Sequence, residues 1–228
     1  MIGWFTEAFE PEFMQRALLG GLVAVVATSL IGTWVVLRGL AFLGDALAHG
    51  VIPGVALAIL WGFSPIVGAF VAALLMSGLV SLVSSRAAMR EDTGVGLLFV
   101  GMLSLGVIIV SKSDSFTADV TSLLFGDVLG VTMADIRGQA IAALIVLVLS
   151  VVLYRPFLAL TFNRDKARTL RMRPGLAHAA LLTMLALSIV AGFQAIGTLL
   201  VFGLLIAPPA TAMLFVRRVP AIMATAVV

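Results

Sequence analysis

Hydrophobic runs of about twenty residues, repeated along the chain, constrain the fold more than any other feature of this sequence. Apolar stretches cover residues 13–37, 44–61, 65–85, 93–111, 132–154, 174–193 and 196–215, and an eighth begins after Arg217 and Arg218. A helix of roughly 20 residues crosses a hydrocarbon core about 30 Å thick. The runs are continuously apolar rather than alternating with period two, which selects helices over barrel strands. Composition agrees. Of the 228 residues 62% are hydrophobic and only 11% charged, against about 25% charged in soluble domains, and the mean hydropathy is +1.21. The expected fold is all-α: one polytopic transmembrane helix bundle over residues 1–228, with about seven full spans. The eighth run stops at Val228 after about ten residues, too few to cross. It is expected to be a truncated span, with C-terminal helices missing.

Charge placement orients the bundle. The 14 lysines and arginines outnumber the 11 acidic residues, and the pI is about 10.2. They sit between the apolar runs, so they are read as topology signals and not as a nucleic-acid surface. With the basic loop 155–173 placed inside, only Arg16, Lys112 and Arg137 fall outside. The opposite assignment inverts that ratio. The N-terminus, with Glu7, Glu10 and Glu12, is then outside, as is the loop carrying Asp114, Asp119 and Asp127. The opening MIGWFTEAFEPEF is acidic and lacks the basic n-region of a cleaved signal peptide. The chain has no cysteine, which excludes disulfides, thiolate metal ligands and cysteine catalysis. A P-loop needs glycine before its lysine. The only lysines are Lys112, after Ser111, and Lys166, after Asp165, so any ATP-driven work belongs to another chain.

One polar intrusion interrupts the second run: Gly44 to Gly54, GDALAHGVIPG. A carboxylate at membrane depth costs about 2.5–3.5 kcal/mol on insertion scales and therefore faces a bundle interior or water. Asp45 and His49 stand four residues apart, on one helical face. A carboxylate and an imidazole together suit zinc, manganese or ferrous iron. Pro53 has no N–H for the carbonyl of His49, four residues back. If the helix continues through Pro53, that carbonyl is left free. If Pro53 lies in a first turn, its missing N–H is harmless, and the pair sits on an irregular entrance to the helix. The bland alternative is that Asp45 caps a helix and His49 is a buried hydrogen-bonding residue.

Other features carry less chemistry. Pro208 and Pro209 stand in tandem inside an apolar run, so that helix is expected to bend or unwind there, with kinked packing or a gating role as the alternatives. His178, after Pro174 at the start of a run, reads as interfacial packing. The segment 162–174, FNRDKARTLRMRP, has helix-forming residues and dense charge. It suits a short cytoplasmic helix that meets anionic lipid or docks a partner. Glycines such as Gly50 and Gly54 fit close helix packing.

Taken together, GDALAHGVIPGVALA, TGVGLLFVGMLSLGVIIVS, SLLFGDVLGVT and GTLLVFGLLIAPPATA resemble the zinc/manganese/iron-type ABC transporter permeases, over almost the whole chain. The resemblance implies a bacterial inner-membrane permease acting as a homodimer. It further implies two cytoplasmic ATPase subunits, an extracytoplasmic metal-binding protein and further C-terminal helices. No permanently bound cofactor is implied; zinc or manganese is cargo. Asp45 and His49 match positions associated with the metal path. Phe162 to Leu170, with Asn163, Arg164, Asp165, Lys166, Ala167, Arg168 and Leu170, matches the region coupled to the ATPase. Asn163, Lys166 and Arg171 depart from the family's usual acidic, aromatic and glycine residues, which makes this docking surface more basic.

Three other functions compete. A permease for iron chelates or cobalamin needs a wide, mostly non-ligating path. An ion-coupled secondary transporter also uses membrane carboxylates, but one aspartate within the spans is sparse machinery. A membrane enzyme is poorly served by two histidines and no nucleophile–base pair.

Overall fold

The computed structural model describes residues 11–86, 91–111, 126, 130–162 and 172–228, without side chains for 84–86, 91–92 and 194–195. Every regular element among them is a helix: α1 (Glu12–Leu37), α2 (Ala41–Gly50), α3 (Ile52–Trp61), α4 (Pro65–Arg86), α5 (Glu91–Ser111), α6 (Met133–Val152), α7 (Tyr154–Phe162), α8 (Pro174–Phe215) and α9 (Val219–Val227). Seven stretches among the described residues are long and apolar enough to cross a membrane. They are Glu12–Leu37, Ala41–Trp61, Pro65–Val83, Thr93–Ser111, Met133–Val152, Pro174–Phe193 and Ile196–Phe215. The chain is a multi-pass membrane protein, and the expected all-α bundle is the observed one. The segment Asn163–Leu170 lies outside the described residues.

The second span is two helices in series. Gly62 closes it with φ 72°, a left-handed turn that glycine adopts without a Cβ penalty. The Phe63 N–H then reaches back to the Ala58 carbonyl at 3.0 Å, the 6→1 bond of a Schellman end. Within α8, the non-helical backbone is at Gly197, with φ 76° and ψ 160°. Nine residues of continuous helix separate two positions by about 13.5 Å. A Cβ placed on Gly192 would instead lie 2.9 Å from Val201 Cγ2. The chain therefore reverses at Gly197, and α8 consists of two antiparallel spans.

Of the bend or unwinding expected at the tandem prolines, the unwinding does not occur. Pro208 and Pro209 lie inside a helix that runs on to Phe215 without unwinding. The physical reason lies on α1. Pro209 offers no N–H to the Leu205 carbonyl, and that oxygen lies directly against the α-carbon of Gly32, beside the Pro209 ring. A Cα–H···O contact worth about 0.5–1 kcal/mol covers it, and a side chain at position 32 would displace it.

The core forms where α1 packs along α8 and α6. Ile31, Trp34, Val35, Leu181, Leu185 and Ile189 are fully buried there. Trp34 meets Tyr154 and Phe157 edge-on, with ring centroids 5.6 and 5.4 Å apart. At that end of the bundle, Arg38 Nη1 donates to His178 Nδ1 at 3.2 Å. His178 is 6% exposed, so it is a buried bridge between α1 and α8 rather than interfacial packing. These contacts put Arg38, Arg155 and Arg173 at one end of the bundle, as the charge pattern requires. The Ser29 hydroxyl donates to the Ala226 carbonyl at 2.9 Å and ties α9 to α1.

Candidate functional site

Asp45 and His49 sit on α2, which is regular helix from Ala41 to Gly50. Two of the openings left by the sequence close here. Asp45 is the fifth residue of α2 and not its cap, since Leu40 holds that position without a side-chain hydrogen bond. Pro53 lies in the first turn of α3, where it needs no partner for an N–H. The pair nevertheless rides on helical backbone, not on an irregular entrance.

Glycines set the position of this helix. A Cβ on Gly44 would lie 2.7 Å from Leu205 Cδ2, on the second span of α8, and one on Gly50 would overlap Met76 on α4. Gly54 of α3 and Gly68 of α4 each face the other's backbone carbonyl, so those helices touch backbone to backbone. Pro53 is buried, and its ring lies under Gly106 of α5. The remaining face of α2, with Phe42, Asp45 and His49, looks toward Phe99 of α5. The Phe99 ring stands 6.1 Å from Phe42 and 6.0 Å from His49, edge-on to both.

Packing thus fixes α2 against α4, α5 and the second span of α8, and both members of the polar pair stay partly exposed. His49 Nε2 is 3.5 Å from Asp45 Oδ1, with the side chains 20% and 31% exposed. That distance is too long for a strong hydrogen bond. It is close to the spacing of two ligands on one ion: at about 2.1 Å from a tetrahedral metal, N and O stand about 3.4 Å apart. By helical rise, the two residues lie about 6 and 12 Å along the span from Ala41, so His49 approaches the bilayer midplane. Among the described residues no three His, Cys, Asp or Glu side chains gather into one cluster. One chain thus brings one carboxylate and one imidazole together, with no third such group beside them among the described residues.

The sequence matches the ABC 3 transport family over residues 10–228. A probable iron transport system membrane protein of Haemophilus influenzae is 36% identical over 213 residues, covering 93% of this chain and 78% of that protein. The manganese transport system membrane protein MntC of Halalkalibacterium halodurans is 31% identical over 223 residues, covering 98% and 76%. Among solved structures, PsaBC from Streptococcus pneumoniae in complex with Fab superposes with a TM-score of 0.86 at 28% identity, covering 100% of this chain and 82% of that one. The family match over residues 10–228 and the relatives above 30% identity agree, and the chain belongs to the ABC 3 transport family.

Proposed function

We propose that this chain is the permease subunit of an ATP-driven ABC importer for divalent metal ions, zinc or manganese and also iron within its reach. Asp45 and His49 ligate the ion transiently on its path. The carrying observation is the 3.5 Å pair of carboxylate and imidazole on α2, both partly exposed. The names of the relatives, an iron and a manganese transport protein, support the same cargo class.

Two copies complete the path. In a twofold homodimer a patch faces its own image, so two aspartates and two histidines provide the four N/O ligands that zinc prefers. Conduction requires release as well as binding, and half-exposed ligands without a strong mutual hydrogen bond suit a passing ion. A separate cytoplasmic ATPase dimer supplies the energy, since neither lysine of this chain stands in a P-loop. Segment 162–174 couples to it, through Asn163, Arg164, Asp165, Lys166, Ala167, Arg168 and Leu170. An extracytoplasmic metal-binding protein delivers the ion to the outer face. The chain lies in the bacterial inner membrane with its N-terminus outside, by the placement of its arginines. Pro53 on α3 and Pro208 and Pro209 on the second span of α8 act in gating the path.

Uptake by the assembled complex in proteoliposomes tests this reading. ATP should drive entry of labelled manganese or zinc, each cation should compete with the other, and omission of the ATPase should stop it. Uptake by this chain alone under a proton gradient would instead make it a secondary transporter. Transport of a ferric chelate or cobalamin, with free cations excluded, would replace the cargo class.

A further inference from the structure

We propose a second ligand site, for one anionic phospholipid, in the groove where α6, α7 and α9 meet beside α1. A cavity of about 420 Å³ opens there, lined by Leu147, Ser150, Val151, Arg155, Pro220 and Met223 among others. Its apolar wall continues onto the exposed side of the span Met133–Val152: Leu147 is 42% exposed and Val151 68%. Acyl chains suit such a wall, and a free phosphate ion does not.

The headgroup end is cationic. Arg155 is exposed and follows the span Met133–Val152 by three residues, at the level where headgroups begin. No described residue lining the cavity is acidic, so none of them neutralises that charge. Arg217 and Arg218 precede Pro220 of the same wall, and Arg218 is the N-cap of α9. The positive end of that helix adds to the field at its first turn. Basic pockets between transmembrane helices recognise anionic headgroups in this way.

Ser150 supplies the independent observation. The residue is 3% exposed, and its hydroxyl has no hydrogen-bond partner among the described residues. A buried donor without an acceptor is destabilising, and Ser150 lines the cavity beneath Arg155. An ester or phosphodiester oxygen of a bound lipid accepts from it. The arrangement is one cation above, one hydroxyl below and an apolar runway beside them. The site depends neither on the metal reading nor on which face of the membrane is cytoplasmic.

Native mass spectrometry of the complete transporter complex tests the site, after delipidation and reloading with phosphatidylglycerol or phosphatidylethanolamine. One phosphatidylglycerol per copy of this chain should survive activation that strips phosphatidylethanolamine. Arg155→Gln should lower its retention about fivefold, the loss of one juxtamembrane arginine, and Ser150→Ala should lower it less. Arg137→Gln, on the opposite end of α6, should leave retention unchanged. Thermal unfolding of each variant in detergent separates loss of lipid from loss of fold. Equal retention of the two lipids would overturn the proposal. So would undiminished retention in Arg155→Gln, no retained lipid in the complete complex, or displacement by inorganic phosphate.

Discussion

The two histidines of this chain occupy opposite kinds of site. His178 stands at the end of a span, 6% exposed, with its Nδ1 held by the Arg38 guanidinium from a helix 140 residues away in sequence. A nitrogen that accepts from a guanidinium is already committed and has a cation beside it, so it repels a metal ion. His49 lies deep within a span, 20% exposed on its side chain, with a carboxylate at 3.5 Å in place of the guanidinium. The same residue type is a structural bridge in one place and, in the function proposed above, a ligand in the other, and the charge of its neighbour separates the two. The proline sites differ in parallel. Pro209 sits where Gly32 covers the carbonyl it leaves unbonded, whereas Pro53 sits in a first turn where nothing needs covering.

The largest expected effect comes from removing the ligands. Asp45→Ala or His49→Ala should lower metal uptake by the assembled complex about a hundredfold or more, beyond the 10–100-fold loss typical of an outer-shell partner. Assembly, followed by size-exclusion chromatography, should be unchanged. The contrast breaks if either variant transports normally. Next is the closed region. Gly32→Val forces a branched side chain into the Leu205 carbonyl and Pro209 and should destabilise by about 3 kcal/mol, at the upper end for overpacking. A lowered thermal midpoint in detergent would show it. Third, His178→Ala removes the acceptor from Arg38 and should cost about 1–3 kcal/mol of stability, while the surviving folded protein transports metal at close to the normal rate. A transport defect without a stability defect would erase the distinction between the histidines. The smallest effect is Pro53→Ala, expected within about 1 kcal/mol, since a first-turn proline mainly restricts the unfolded chain. A larger loss would mean that the ring's packing under Gly106, and not the backbone, is what matters there.

Span number and span limits were legible in the sequence because hydrocarbon sets a length and tolerates few charges. The seventh apolar run, 196–215, is the span Ile196–Phe215, and the fifth, 132–154, is Met133–Val152. The Asp45–His49 pair was legible too, because four residues make one helical turn and no tertiary knowledge is needed. What escaped depended on partners distant in sequence. Whether Pro208 and Pro209 unwind their helix depends on what covers the Leu205 carbonyl, and the answer is a glycine on α1. The same holds for His178, whose partner is the C-cap of α1. Gly197 gave a signal that was available: a glycine between two apolar runs of spanning length is a natural place for a left-handed turn. In this chain it, and not the tandem proline, reverses the backbone.

The central claim is that His49, and not His178, binds the transported ion. Pulsed electron paramagnetic resonance of manganese bound to the purified complex reads nitrogen ligation directly. The account predicts an imidazole nitrogen coupling in the unaltered protein that disappears in His49→Gln and persists in His178→Gln. A coupling that survives His49→Gln and vanishes in His178→Gln would contradict it.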